Sequence, residues 1–389
     1  MSRPVAIFAG YLARYPLGGH LLSQYHFLAG LTKLGYEVIF IEHHGWSNAC
    51  YDPRTNTMGD DPAYGLSQIL PFFERIGLRR WCYVDATGKW HGLQQDEVKN
   101  LCREAALVIS SSSTTWIEEL RLCPTRIFVD IDPGFTQFKM SPIPNTSCAG
   151  YASPYDFNFH FTFGERIGKP DCPIPTHGLR WQPFRQPLAL DLIQPRFTPQ
   201  AKRFTTVMSW TAYGSVEYQG VTYGQKNVEM LNFLDLPKRA GDVFEIALGG
   251  VGAPAQQLQD SGWIVSEALA ATLSVEAYLE YIGNSRGEFS VAKHAYVKTR
   301  CGWFSDRSAA YLASGKPVII QDTGFSEFLP CDEGLFAFQT ADDVVRAAEK
   351  TGADYEHHCH AARQIAEEYF DSGKVLGAML EACNLSTPS

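Results

Sequence analysis

The 389-residue sequence contains no Cys-x-x-Cys pair. Its ten cysteines stand singly, at Cys50, Cys82, Cys102, Cys123, Cys148, Cys172, Cys301, Cys331, Cys359 and Cys383. That spacing excludes a zinc ribbon and a thioredoxin-type redox site. It fits reduced, mostly buried thiols, and a cytoplasmic location is expected. No apolar run approaches the roughly 18–20 residues that span a bilayer, so no transmembrane segment is expected. Basic excess is missing as well: the net charge is −9. A bulk nucleic-acid binder needs a cationic surface to displace counterions, which excludes DNA or RNA as a general partner. Low-complexity tracts and internal repeats are absent. What is present is ordinary for a globular enzyme, with 45% hydrophobic and 19% charged residues. The length favours two domains of roughly 150–200 residues over one core.

The opening is the most legible part. Val5-Ala6-Ile7-Phe8-Ala9 is a continuous apolar run, as in a strand buried on both faces of a parallel sheet. The run leads directly into Gly18-Gly19-His20 and a helical pattern, which marks it as a first strand and not a signal peptide. Leu21, Leu22, Tyr25, Leu28, Leu31 and Leu34 recur at helical spacing and stop at Gly35. Tyr36 to Ile41 is a second strand, completing a βαβ unit. Residues 106–110 and 126–130 read as further strands, with a helix over 116–122 between them. Residues 141–200 are rich in Pro, Gly and aromatics, with a strand candidate at 159–163, and read as loops and an interdomain connection. A second αβ series follows: strands at 205–209, 244–248, 288–291 and 318–321, and helices over 306–314 and 356–369. Two αβ halves of this kind predict a pair of Rossmann-like domains.

The segment from Lys298 to Gly324, KTRCGWFSDRSAAYLASGKPVIIQDTG, resembles the donor-binding segment of GT-B glycosyltransferases, of the family 1 and 4 type. The likeness lies in a Gly- and Ser-bearing loop, a helix, a Gly-Lys-Pro turn and an acidic residue ending the next strand. It implies an α/β fold of two Rossmann-like domains facing across a cleft. The N-terminal domain, residues 1–185, would take the acceptor, and the C-terminal domain, residues 200–365, the nucleotide sugar. Residues 366–389 would form a helix and tail packing back on the first domain. The implied activity is transfer of a sugar from a nucleoside-diphosphate sugar, a UDP-sugar foremost, to a small-molecule or glycan acceptor, with no further cofactor and no metal.

The chemistry of the residues agrees. Ser305 is a suitable cap for a helix beginning at Asp306, whose free amides and positive dipole end suit a diphosphate. Lys298, Arg300 and Arg307 are candidate cations for the departing diphosphate, and Gly302 permits close backbone approach. Asp322, with Thr323 and Gly324, and Glu288 are candidates for sugar or ribose hydroxyls. Trp210 and Trp303 are candidates for the cleft wall near the donor. In inverting members of the resembled class the base is often a histidine in the loop after the first strand, which points to His20, with Gly18 and Gly19 letting that loop approach a ligand. Asp130-Ile131-Asp132 lies at a strand's C-terminal end, where ligands of open α/β sheets bind, so Asp132 and Asp130 are competing candidates. The paired glutamates of many retaining members are absent: Ala310 and Gly302 stand at their places, which favours inversion. Alternatives on the same fold are an epimerase, a phosphorylase or a non-catalytic nucleotide- or sugar-binding protein. Adjacent residues of a helix point apart, so His357, His358 and His360 do not suggest a metal site.

Overall fold

A computed structural model describes residues 3–141 and 143–388. Two sheets dominate it. The first has eight strands: β1 (Val5–Ala9), β2 (Glu37–His43), β5 (Arg80–Val84), β6 (Trp90–Gly92), β7 (Leu107–Ser111), β8 (Arg126–Asp130), β9 (Phe159–Thr162) and β10 (Trp181–Pro183). Their order is β10-β9-β8-β7-β1-β2-β5-β6. Neighbours run parallel except β6, which turns back on β5. A small hairpin, β3 (Cys50–Asp52) and β4 (Thr57–Gly59), stands beside this sheet. The second sheet is all parallel, in the order β15-β14-β11-β16-β17-β18. Its strands are β11 (Phe204–Ser209), β14 (Phe244–Gly249), β15 (Ile264–Glu267), β16 (Gly287–Ser290), β17 (Val318–Gln321) and β18 (Leu335–Phe338). Between β11 and β14 lies a hairpin, β12 (Val216–Tyr218) with β13 (Val221–Tyr223).

The apolar runs explain the sheets. Ala6, Ile7, Phe8 and Ala9 are fully buried because helices cover both faces, and the same holds for Leu107, Val108 and Ile109 beside them. Each strand switch to a helix carries its hydrophobic stripe back onto the sheet, as in the helix Gly18–Lys33 with Leu21, Tyr25, Leu28 and Leu31 buried. The segment expected as a helix near Trp116 is instead a short 3-10 turn, Glu118–Leu122. Of the fourteen residues, 112–125, that join the adjacent parallel strands β7 and β8, only these five are helical, and the rest run as turns. Among the described residues no helix is long and apolar enough to cross a membrane.

The chain passes between the two halves twice. Leu188 N–H donates to Phe370 O at 2.6 Å, and Ser372 N–H donates to Leu188 O at 2.8 Å, so the crossings are bonded to each other. After the second, the helix Ser372–Ala382 returns to the N-terminal domain and buries Leu376, Met379 and Leu380 in its core. Burial of such side chains contributes about 1.5–3 kcal/mol each. Gly30 makes the contact possible, since a Cβ there would lie 2.6 Å from a Leu376 methyl.

Candidate active site

The loops following the C-terminal ends of β1, β8, β11 and β16 face one another across the space between the domains, where open parallel sheets bind ligands. They enclose a cavity of about 320 Å³. Tyr11, Gly19, Gln24, Ser111 and Asp132 line it from the N-terminal domain. Tyr213, Lys226, Tyr278, Lys293, Tyr296, Trp303, Ser305, Asp306 and Arg307 line it from the C-terminal domain.

The first wall is set by a buried ion pair. Glu42, fully buried at the end of β2, accepts the backbone amides of Leu12, Ala13 and Arg14 at 2.8–3.0 Å. It also receives Arg14 Nε at 3.1 Å. The Arg14 guanidinium then donates to Thr114 O at 2.7 Å and His44 O at 3.3 Å. A loop that would otherwise leave its amides bare is thereby fixed in one shape. Above it, Tyr15 and Tyr51 stack at 5.2 Å, and the Arg14 guanidinium lies 5.0 Å from the ring of the exposed Trp46. These rings make an aromatic rim beside the cavity.

His20 lies at this rim. Its Nε2 is 2.5 Å from the Tyr11 carbonyl, so Nε2 carries the proton and Nδ1 is the lone-pair nitrogen. Burial lowers its pKa to about 4, only partly opposed by the Tyr11 hydrogen bond and by Asp306. The imidazole is therefore neutral at pH 7. Gly18 and Gly19 also serve the contact between the domains, and Gly19 lines the cavity. A Cβ on Gly18 would sit 2.0 Å from Ser274 O, and one on Gly19 would sit 3.1 Å from the Tyr278 ring. They let the first helix press against the C-terminal domain.

The opposite wall carries the charge. Asp132 accepts from Lys293 Nζ at 2.9 Å and from the hydroxyls of Tyr213 and Tyr296, all three from the other domain. The Lys293 ammonium also lies within 4.5–5.2 Å of the Phe135, Tyr213 and Tyr296 rings. Lys226, at the start of the helix Lys226–Met230, is different: among the described residues its ammonium has no hydrogen-bond or ion-pair partner. Its pKa falls well below 10.5, through burial first and Arg307 second. Next to it the helix Asp306–Ala313 begins at Ser305. The first amides of that helix have no carbonyl ahead of them, and the Ser305 side chain caps none of them. The wall thus combines an unpaired cation with open amides, an arrangement complementary to an anion.

Of the residues singled out in sequence, Gly19, Asp132, Trp303, Ser305, Asp306 and Arg307 line the cavity. His20 stands at the rim beside it, and the structure engages the others in the following contacts. Asp130 is fully buried and holds Thr136 Oγ1, Gln137 Nε2 and Thr162 Oγ1 at 2.6–2.8 Å, which fixes the β8 turn. Glu288 is fully buried and binds Arg307 Nε at 2.5 Å, so the Arg307 charge is already matched within the domain. Arg307 further donates to Val207 O and Ser290 Oγ. Lys298 lies over the Tyr223 ring, and Arg300, in a left-handed conformation, pairs with Glu327 at 3.3 Å. Asp322 accepts Gly324 N–H at 2.9 Å, capping its own turn. Thr323 Oγ1 donates to Trp303 O, and Gly302 N–H to Thr323 O, so Gly302, Thr323 and Gly324 shape the loop below Trp303. Trp210 is part of the second domain's core.

Sequence reasoning missed Lys226, Lys293, Tyr213 and Tyr296. Lys293 follows the end of β16 by three residues, so the strand-end rule that singled out Asp132 would have found it. Lys226 stands in no such register.

No protein-family model matches this sequence, and no curated protein matches it. Solved structures do match in shape. An α-glucosyltransferase determined with UDP and a 13-mer DNA superposes at a TM-score of 0.57 and 10% identity, over 99% of this chain and 100% of that one. Sucrose-phosphate synthase from Thermosynechococcus elongatus gives 0.54 and 11%, over 98% of each chain. HepE of Anabaena, determined with UDP and glucose, gives 0.53 and 10%, over 97% of this chain and 99% of that one. Likeness at such identity establishes the fold: two Rossmann-like domains facing across a cleft, the GT-B arrangement.

Proposed function

We propose that this chain is a glycosyltransferase that moves a sugar from a nucleoside-diphosphate sugar, a UDP-sugar foremost, onto an acceptor hydroxyl with inversion. The observation that carries the reading is Lys226. A half-buried ammonium with its pKa pushed down and no partner among the described residues is costly unless an anion joins it. Open helix amides at residues 306 and 307 lie on the same cavity wall. In this reading the diphosphate occupies that wall, and the neutral His20 Nδ1 takes the acceptor proton. The acceptor oxygen bonds to the anomeric carbon as the bond to the diphosphate breaks. The leaving group gains about one negative charge, which Lys226 and the amides stabilise more strongly than the ground state. Lys226 supplies the positive charge at the phosphates, so no metal or other cofactor is invoked.

The aromatic rim of Tyr15, Tyr51 and Trp46 is the proposed acceptor side, where ring faces suit a glycan or another flat small molecule. The free cysteines fit a reducing, cytoplasmic setting.

The test is thermal unfolding of the purified protein with UDP, GDP, ADP and dTDP and their glucosyl esters, with and without EDTA. A ligand at about 100 times its Kd adds roughly 2.7 kcal/mol, a shift of a few degrees. The reading requires a shift that EDTA leaves intact and Lys226→Met removes, followed by transfer from the stabilising donor to a saccharide panel. A flat response to all of them overturns it.

A further inference from the structure

The cavity continues inward beyond the charged wall, to a floor made by Leu22, Phe27, Phe163, Leu188 and Ala310. Two polar side chains break this apolar lining, His26 and Gln186. His26 is 3% exposed. Its Nδ1 accepts the Ala189 amide at 3.1 Å, which places the ring proton on Nε2. Among the described residues that Nε2–H has no hydrogen-bond partner. Gln186, 4% exposed, donates its amide nitrogen to Phe304 O, and among the described residues its Oε1 receives no donor. A buried donor, His26 Nε2–H, and an acceptor, Gln186 Oε1, thus stand without protein partners among the described residues, both on side chains that line this cavity. The buried His26 donor costs about 1–3 kcal/mol if left unmet, which favours an occupant that meets it and can also give a proton to the Gln186 oxygen. A hydroxyl does so, accepting from one group and donating to the other, and a charged group does not. The chamber also adjoins Ala189 and Leu188, at the first crossing between the domains, so an occupant there bears on the segment that connects them.

We propose that the floor is a sugar-hydroxyl subsite, in which His26 Nε2–H and Gln186 Oε1 hold one hydroxyl of the bound nucleotide sugar. This rests on the function proposed above. The hydroxyl belongs either to the transferred hexose or to the ribose, and the two are separable by experiment.

His26→Asn keeps an acceptor where Nδ1 meets the Ala189 amide and removes the Nε2 donor. His26→Gln does the reverse, restoring a nitrogen donor near the Nε2 position while losing the Ala189 contact. Affinities for the best-binding nucleoside diphosphate of the panel and for its glucosyl ester are measured by calorimetry on wild type and both variants, with unfolding midpoints alongside. The subsite requires His26→Asn to bind roughly tenfold more weakly, with His26→Gln closer to wild type. Loss confined to the glucosyl ester assigns the hexose hydroxyl, and equal loss for both ligands assigns the ribose. A purely structural histidine gives the opposite order, with Gln the more damaged in stability and both affinities unchanged, and that result overturns the subsite. If wild type binds none of the panel, the donor reading itself fails and the subsite falls with it.

Discussion

The Asp132 carboxylate of the N-terminal domain meets the Lys293 ammonium of the C-terminal domain at 2.9 Å. With the Tyr213 and Tyr296 hydroxyls also donating, the carboxylate is fully engaged across the cleft. With its oxygens already taken by Lys293, Tyr213 and Tyr296, Asp132 is assigned a positioning role in the proposed mechanism and His20 the role of base. Asp132→Asn is therefore expected to lower turnover by no more than about tenfold, whereas loss of a general base costs roughly 10²- to 10⁴-fold. Removing one negative charge also leaves Lys293 unneutralised beside Lys226. The affinity for UDP is expected to rise about three- to tenfold, since charges a few ångströms apart at an effective dielectric near 20 interact by a few kcal/mol before screening. Initial rates and UDP calorimetry on the same preparation decide it. Weaker binding of UDP in the variant contradicts the assignment.

His20 makes a prediction in pH. Its pKa is lowered to about 4 by burial. As the base, it is active when neutral, so it leaves kcat/KM flat from pH 7 to about 5, with a decline only as pH approaches 4. An unperturbed histidine would give half the plateau near pH 6.5. Stability moves in the same direction. A histidine whose folded pKa lies below its unfolded value contributes stability fully above about pH 6.5, and that contribution is lost as pH falls toward the folded value. His26, lowered to about 3 by burial, adds to the effect. The unfolding midpoint is expected to drop steadily between pH 6.5 and 4, so each point of the rate profile needs a midpoint measured with it. A limb at 6.5 in the rate at unchanged stability refutes the assignment of His20.

The two-domain αβ architecture was legible in the sequence because strands buried on both faces are continuous apolar runs, as Val5 to Ala9 and Val318 to Ile320 show. The charged wall was only half legible. Ser305, Asp306 and Arg307 follow from a helix start that local chemistry marks, and Asp132 from a strand end. Lys298 and Arg300 were misjudged for a physical reason. Proximity along the chain to the donor loop says nothing about direction, and the left-handed turn at Arg300 sends that side chain to Glu327 instead. Lys226 was invisible because its meaning is an absence of partners, and partners come from β16 and the helix at Asp306, some sixty to eighty residues away. The same holds for His26, which reads in sequence as one more residue on a helix.

Gly18 tests whether the pairing of the domains matters to the chemistry. Its Cα hydrogen faces Ser274 O, and a methyl there would overlap the carbonyl. Gly18→Ala is expected to force the first helix off the C-terminal domain, at about 1–3 kcal/mol in stability. Because the same helix carries His20, kcat should fall with it, although Gly18 itself contacts no reacting group. The comparison is Ala29→Gly, a partly buried position of the same helix packed against the first domain's core, which costs stability by helix propensity, roughly 0.5–1 kcal/mol, without adding a side chain at the Ser274 contact. Equal specific activity for the two variants would mean that the contact at Ser274 does not position the catalytic loop.

Lys226 gives the sharpest electrostatic prediction. In the empty protein its pKa is pushed well below 10.5 by burial and by Arg307. The charged form is the disfavoured one in the fold, so the penalty is fully present below the lowered pKa and is relieved as pH rises through it toward 10.5. A bound diphosphate reverses the preference, because an adjacent anion favours the ammonium. Binding of UDP above the lowered pKa must therefore take up a proton, and the affinity must fall as pH rises. The titration of a phosphate itself lies near about 6, so the range above pH 7 isolates the lysine. Lys226→Met is expected to weaken UDP binding roughly ten- to a hundredfold, the range for a charge-assisted hydrogen bond, and to abolish both the proton uptake and the pH slope. Calorimetry in two buffers of different ionisation enthalpy reads the uptake directly. The decisive comparison is between the slopes of the two proteins. If wild type and variant weaken in parallel with pH, the group that responds is elsewhere, and the phosphates do not rest on Lys226.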